Sequence, residues 1–506
     1  MVWAMTRRAV TGVLALALLA GGCASTKGSI HPVGKPTSPT TTADDSDAAS
    51  ANGALSWTGC QRFNIDLPDG GAEIMQRSRV RCARLEVPLD PAQPNGKKIS
   101  LAIAKMPATG SAKQRKGSLV VNPGGPGGSG LGFVALASVS FPTAITDQWD
   151  IVSFDPRGLG QSDGIQCLTN SRRAAMAEEQ TPDDPTEAAA QSEAIETEID
   201  NGCERDNAAL LRHMGTSYVV DDLEAIRVAL GDEPLHYLGL SYGTRIGAIY
   251  ADRYPEHTGT IVLDGSVSPD ASLTTLTMGQ FNGISRAYDR FLSDCAATPT
   301  CPLNPDPSAA VKAALDAVTR TPMVYEGSDG PENLDEERFM TGIITSLYDP
   351  STATPTAQAI AALTGSDTER AALGASFLGG LADQQNSRRA DGTYDDGVEV
   401  QAIVTCADAP KELTSSEAET LRSEILAKGG PMAETFATGG KACFALPVDE
   451  GTADITSTNA AKKIPIVGTS GDPATPIEWT TQMAEALGTA SVLTYEGRGH
   501  TASLRI

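Results

Sequence analysis

The chain has 506 residues, 40% of them hydrophobic, and a formal net charge of −24. That length holds one large domain with a sizeable insertion, or two domains. The acidic balance, without any Lys/Arg cluster, argues against nucleic acid and against electrostatic attachment to anionic lipid, and predicts an acidic soluble surface.

Residues 1–22 read as an export signal of lipoprotein type. Arg7 and Arg8 give a positive start, and Val13 to Ala20 is an apolar run too short for a comfortable membrane span. Leu19-Ala20-Gly21-Gly22-Cys23 resembles a bacterial lipobox, which makes Cys23 the expected lipidation site and the anchor to a membrane. A plain secretory signal is the alternative, and the paired arginines leave the export route open. Residues 23–54 are rich in Ser, Thr, Pro, Ala and Asp and cannot bury a core, so a disordered tether is expected.

Eight cysteines follow Cys23. An even number in an exported chain implies disulfides, and sequence neighbours are expected to pair: Cys60–Cys82, Cys167–Cys203, Cys295–Cys301 and Cys406–Cys443. No cysteine or histidine spacing suits a metal. Neither metal nor cofactor is expected.

Short apolar runs bounded by Gly, Pro or Asp predict strands at Ile99 to Met106, Ser118 to Asn122, Ile151 to Phe154, Leu235 to Leu240, Thr260 to Leu263, Ile464 to Gly468 and Ser491 to Tyr495. Helical patterns lie between several of them. Asp221 to Leu230 starts acidic and has Gly231 just past its end, as a helix should. Such alternation predicts an α/β fold with a mostly parallel, doubly wound sheet. Residues 55–265 form its first part and 463–506 its last. Between them, residues 266–462 lose the strand signal and read as a mostly helical cap. Gln166 to Thr216 reads as a smaller helical excursion closed by a cysteine pair.

Gly239-Leu240-Ser241-Tyr242-Gly243 joins a predicted strand to a predicted helix. This is the pattern of a nucleophile elbow, in which small flanking residues let strand and helix approach while the serine hydroxyl stands clear of the sheet. Gly160-Gln161-Ser162-Asp163-Gly164 matches the same five-residue pattern, but no strand ends at Ser162. Ser241 is therefore the expected nucleophile.

A serine nucleophile needs a base, and histidine titrates near neutrality. Five histidines are present. His31 lies in the tether, His213 in the excursion, His236 within the strand below the elbow and His257 at the far end of the following helix. His500 follows a strand and the Gly-rich turn Glu496 to Gly499, at the sheet edge where such folds place their chemistry. The orienting acid is expected at Asp472, in the loop after Ile464 to Gly468. Asp264 is its rival, and the order Ser, Asp, His suits either. The run Asn122-Pro123-Gly124-Gly125-Pro126-Gly127-Gly128 follows an early strand without the Lys-Ser/Thr of a phosphate loop. The N–H groups of Gly125 and of Tyr242 are the expected oxyanion donors.

Taken together, Asn122 to Gly127, Phe154 to Gly158, Gly239 to Arg245, Val262 to Gly265, Thr405 to Asp408, Asp472 to Pro476 and Gly499-His500 resemble the α/β-hydrolase serine aminopeptidases of the proline iminopeptidase type. More closely, the chain resembles the secreted tripeptidyl-aminopeptidase-like exopeptidases of actinobacteria, including lipid-anchored ones. The resemblance spans residues 57 to 500. It implies an α/β-hydrolase fold, peptide substrates cleaved near a free N-terminus beneath a helical cap, and Ser241, Asp472 and His500 as the triad. Cap carboxylates hold the substrate's amino group in that family, which makes Asp408 the candidate here. Family members continue past the histidine with a helix, whereas six residues follow His500, so either a chain truncated or misread at its end or a loosely supported histidine is expected.

Three readings follow: an exported serine exopeptidase, an esterase or lipase with the same triad, and a surface lipoprotein with an impaired hydrolase fold. Fold alone does not choose among them. No oligomeric state follows from the sequence.

Overall fold

The computed structural model describes residues 55–505 except 66, 68–70, 180–184, 232–233, 328–329, 390, 410–412, 438–454, 456–463 and 489–490. The expected signal, the tether and Cys23 lie outside the described residues.

The sheet is built from β1 (Arg81–Pro88), β2 (Lys98–Met106), β3 (Gly117–Asn122), β4 (Trp149–Phe154), β5 (Leu235–Leu240) and β6 (Thr258–Asp264). A hairpin of β7 (Met323–Gly327) and β8 (Gly330–Leu334) lies apart from it, and β9 (Pro465–Gly471) and β10 (Ser491–Arg498) complete it. The eight sheet strands run in the order β1-β2-β4-β3-β5-β6-β9-β10. β2 is antiparallel to both β1 and β4, and every other pairing is parallel. β1 has no counterpart among the expected strands. From Ala83 on it alternates, with Ala83, Leu85 and Val87 buried and Arg84 and Glu86 exposed, while Cys82 is buried in a different cluster from Leu85 and Val87.

Side chains one residue apart on the central strands enter different apolar clusters, as the period of two requires. Val120, Val152 and Tyr237 pack with Val219, Leu223 and Ile226 of helix Thr216–Leu230 and with Ile246 and Ile249 of helix Gly243–Arg253. Val121, Ile151 and Leu238 pack with Leu131 and Val134 of helix Gly130–Ala135 on the other face. Each such side chain, when fully buried, contributes about 1.5–3 kcal/mol. The sheet is therefore covered on both faces, which explains its near-continuous apolar strands. Helix Thr216–Leu230 begins five residues before its acidic pair and ends where expected, at Gly231 with φ +71°.

The insertion carries its own core, with Phe281 and Ile284 of helix Leu273–Ala297, Phe339 and Ile343 of helix Glu336–Ser346, Ile360 of helix Ala353–Leu363 and Leu378 of helix Thr368–Gln385. It departs from the expected organisation twice. First, it contains the β7–β8 hairpin, whose inward residues are Tyr325, Glu332 and Leu334. A buried Glu332, held by Arg338 and Arg388, hides the apolar alternation that would have marked these strands. Second, helix Gly397–Asp408 leaves the cap and places Val400, Ile403 and Val404 in the sheet's own cluster.

Cys60–Cys82, Cys167–Cys203 and Cys295–Cys301 are bonded as expected. By restricting the unfolded chain, the Cys167–Cys203 closure stabilises the excursion by roughly 3–4 kcal/mol. Cys406 is also disulfide-bonded, and its expected partner Cys443 lies outside the described residues. Among the described residues no helix is long and apolar enough to cross a membrane.

Candidate active site

Ser241 terminates β5 with φ +54°. A non-glycine residue held there stores on the order of 1–3 kcal/mol of backbone strain, so its surroundings must over-determine it. They do. Its N–H donates to Asp264 O at 2.9 Å. A Cβ on Gly239 would collide with Gly243 O, and one on Gly243 would lie 2.7 Å from Asn122 O. Both motif glycines are therefore demanded by close backbone approach. Ser162, the other match, is fully buried; its Oγ donates to Asp155 O at 2.6 Å and accepts Ala102 N–H at 2.8 Å. It braces the loop after β4.

His500 and Asp472 meet. His500 Nδ1 lies 2.9 and 3.0 Å from the two Asp472 carboxylate oxygens, and both residues are buried. That carboxylate also accepts N–H groups from Ala474 (2.9 Å), Thr475 (2.8 Å) and Thr501 (3.1 Å), which fix its orientation. A carboxylate facing Nδ1 places the ring proton there and leaves Nε2 as an acceptor. Nε2 is buried with no hydrogen-bond partner among the described residues. Of the other histidines, His213 bonds Ala209 O, His236 accepts Thr260 N–H and His257 pairs with Glu224. His31 lies outside the described residues.

The rival acid has another task. Asp264 accepts the backbone N–H groups of Ala502 and Ser503 and so holds the turn after His500. It also links nucleophile to histidine: its carbonyl takes Ser241 N–H, and a Cβ on the next residue, Gly265, would lie 3.3 Å from His500 Cε1. His500 is not the loosely held residue expected. Its N–H donates to Tyr348 O at 2.9 Å and its carbonyl accepts from Arg505 at 2.9 Å. Residues 501–505 supply much of this support, through Thr501, Ala502, Ser503 and Arg505.

The glycine run closes over the elbow. Gly124 has φ +92°, and a Cβ there would lie 2.9 Å from Ser241 Cβ and 3.0 Å from Tyr242 N. Its N–H is taken by Asn122 Oδ1 at 2.9 Å, and its carbonyl accepts Gly128 N–H at 3.1 Å. Among the described residues, the N–H groups of Gly125 and Tyr242 donate to no backbone acceptor. Asn122, named from sequence as the head of the glycine run, shapes this loop through its side chain, a role the run alone does not specify.

Asp408 departs from its expected role. It is buried, with Oδ1 accepting Thr216 N–H at 2.8 Å and Oδ2 accepting Arg245 Nε–H at 3.2 Å and the Thr216 hydroxyl. Thr216 Oγ1 in turn lies 2.5 Å from Tyr242 Oη. Burial pushes the Asp408 carboxyl up, and Arg245 followed by the Thr216 bonds oppose it. Both oxygens are occupied from within the protein, so Asp408 braces Tyr242 from behind and presents no free carboxylate to an amino group. Other carboxylates border the glycine run. Asp396 accepts Gly160 N–H at 2.8 and 3.0 Å beside a cavity of about 260 Å³ lined by Gly127 and Ser129. Burial raises its carboxyl to about 7 against the Gly160 bond.

A strained serine at a strand-to-helix turn, a carboxylate-bound histidine three strands along the sheet and unspent N–H groups beside the serine recur in one large family. The alpha/beta hydrolase fold model matches residues 117–504. The chain belongs to the α/β-hydrolase family.

Serine protease Hip1 of Mycobacterium tuberculosis is 30% identical to this α/β hydrolase over 470 residues, covering 88% of this chain and 85% of that protein. Carboxylesterase B of the same organism is 32% identical over 459 residues, covering 88% and 84%. Tripeptidyl aminopeptidase of Streptomyces coelicolor is 38% identical over 226 residues, covering 44% and 42%. In this α/β hydrolase the Ser241 hydroxyl, an imidazole with an unpartnered nitrogen and two backbone N–H groups all follow strands of one sheet, and among the described residues no hydrogen bond joins His500 Nε2 to Ser241; these are group types suited to acyl transfer.

Proposed function

We propose that the protein is an exported serine aminopeptidase that releases short peptides or residues from free N-termini through Ser241, His500 and Asp472. The observation that carries the reading is the His500–Asp472 pair, which commits Nδ1 and leaves Nε2 unpartnered at the sheet edge where Ser241 ends its strand. His500 Nε2 takes the Ser241 proton as Oγ attacks the scissile carbonyl. The N–H groups of Gly125 and Tyr242 receive the developing oxyanion. His500 then protonates the leaving amine, and water resolves the acyl-enzyme by the same steps. Asp472, bonded to Nδ1, orients the ring and faces the imidazolium that forms.

The peptidase half of the reading is supported by the relatives named serine protease and tripeptidyl aminopeptidase. The relative named carboxylesterase favours a second reading, ester hydrolysis by the same triad. Residues 1–23 support export and a lipid anchor at Cys23 on the outer face of the membrane.

Peptidyl-arylamides with free and with blocked N-termini, assayed beside simple acyl esters, test the proposal. Turnover of free-amine peptides that disappears in Ser241→Ala supports it. Equal turnover by that variant removes Ser241 from the mechanism, and acyl-ester turnover without peptide cleavage selects the second reading.

A further inference from the structure

Tyr348 belongs to the cap, two residues beyond helix Glu336–Ser346. There Leu347 and Tyr348 donate their N–H groups back to Ile344 and Thr345, which turns the chain sharply. The turned backbone faces the hydrolase body, and Tyr348 O accepts the N–H of His500 at 2.9 Å. The approach is close: Gly499 has φ +81°, and a Cβ there would lie 2.6 Å from both Tyr348 O and Pro350 Cδ. The Tyr348 ring meets the imidazole edge to face, with centroids 5.5 Å apart and planes at 81°. Its hydroxyl is buried without a partner among the described residues. Burial, and then the charge of Asp472, hold that phenol well above its ordinary range. Two further cap contacts reach the same region. Gly283 of helix Leu273–Ala297 packs so closely on the Asp472 loop that a Cβ there would lie 2.5 Å from Pro473 O, and Asp294 of that helix pairs with Arg498 at 2.5 Å.

We infer that Tyr348 is a positioning residue for the base: through it, the cap sets the place and plane of the His500 imidazole in addition to covering the site. This rests on the reading of His500 as the base. Asp472 and the Thr475 hydroxyl hold one nitrogen, which by itself does not fix the plane of the ring. The Tyr348 carbonyl fixes the backbone from which the ring hangs, and the aromatic contact limits the swing. An imidazole misplaced by about 1 Å costs up to about a hundredfold in rate, because proton transfer from Ser241 depends on alignment.

The test compares Tyr348→Leu and Tyr348→Phe in the full chain, since both keep the backbone carbonyl. Tyr348→Leu is expected to lower kcat about tenfold or more with KM within about twofold. It should also broaden or shift the proton resonance of the His500 Nδ1–H. Tyr348→Phe keeps the ring and should retain both properties. Wild-type kcat and resonance in folded Tyr348→Leu would overturn the inference. So would a Tyr348→Phe variant as impaired as Tyr348→Leu, which would assign the effect to the hydroxyl. If circular dichroism shows that the leucine variant does not fold, Tyr348→Met carries the same expectation. The resonance needs no turnover. A wild type inert to a fluorophosphonate probe therefore removes the proposed hydrolase activity, while an unshifted resonance in folded Tyr348→Leu removes only the role of Tyr348.

Discussion

The carboxylate of Asp264 accepts the N–H groups of Ala502 at 2.9 Å and Ser503 at 2.6 Å, while its own carbonyl accepts Ser241 N–H at 2.9 Å. One residue thereby joins the backbone that carries the nucleophile to the backbone that carries the base. Asp264→Ala strands a buried donor at Ala502 and a half-buried one at Ser503. It should lower stability by about 2–3 kcal/mol, read by denaturant unfolding, and lower kcat more than it raises KM. Unchanged kcat in a folded variant would separate the turn from catalysis.

Gly124 is where the glycine run comes closest to the elbow. A methyl group there would lie 2.5 Å from Leu240 O and 3.0 Å from Tyr242 N. Gly124→Ala should displace the oxyanion donors and reduce kcat by roughly 10²–10³, the usual cost of losing one donor. Single-turnover acylation measures the effect directly.

Asp408 offers a contrast between two roles. A residue that held the substrate ammonium would, on mutation to Asn, lose the preference for free over blocked N-termini. The pairing with Arg245 and Thr216 predicts a different result. Asp408→Asn should lose on the order of 3 kcal/mol of stability, because the buried Arg245 loses its Asp408 partner. The ratio of kcat/KM for free and blocked peptides should stay within about twofold.

Asp396 should shape the dependence of stability on pH. Burial raises its folded carboxyl to about 7, above its unfolded value. Between roughly pH 4 and pH 7 the folded state therefore holds a proton that the unfolded state has released, so this group's contribution is full below the window and falls as pH rises through it. Asn cannot titrate. The stability difference between wild type and Asp396→Asn should accordingly be larger at pH 5 than at pH 8, measured by unfolding at both. A constant difference would show that Asp396 titrates alike in both states.

The elbow was legible because its logic is local. Gly239, Ser241 and Gly243 are spaced by a single strand-to-helix turn, and the turn itself rejects a Cβ at the two glycines. His500 could be reached by elimination for a similar reason, since strand position separated it from the rest. Asp472 and Asp264 were harder to separate. Both end a parallel strand at the same sheet edge, and only the folded loop shows which one faces Nδ1 and which one faces the backbone beyond it. The misplaced role of Asp408 has the same origin. Arg245 follows the elbow and Asp408 lies at the end of a helix far along the chain, so no local pattern records their contact. The β7–β8 hairpin escaped notice because one of its three inward residues is the charged Glu332. Tyr348 left no trace in the sequence at all: what it offers His500 is a backbone carbonyl and a ring edge.

Helix Gly397–Asp408 has a practical consequence for grafting. Its first residue lies against Gly127, so that a Cβ on either glycine would strike the other's backbone, and its last residue is bonded to Arg245. Inserted in sequence, it is native to the body in space. A chimera that exchanged the whole of residues 266–462 for a relative's insertion would remove the brace behind Tyr242 together with the cap's own core. A shorter exchange, with one seam after the Asp264 strand and the other before Gly397, keeps that brace but still replaces the Tyr348 contact to His500 and the Asp396 contact to Gly160.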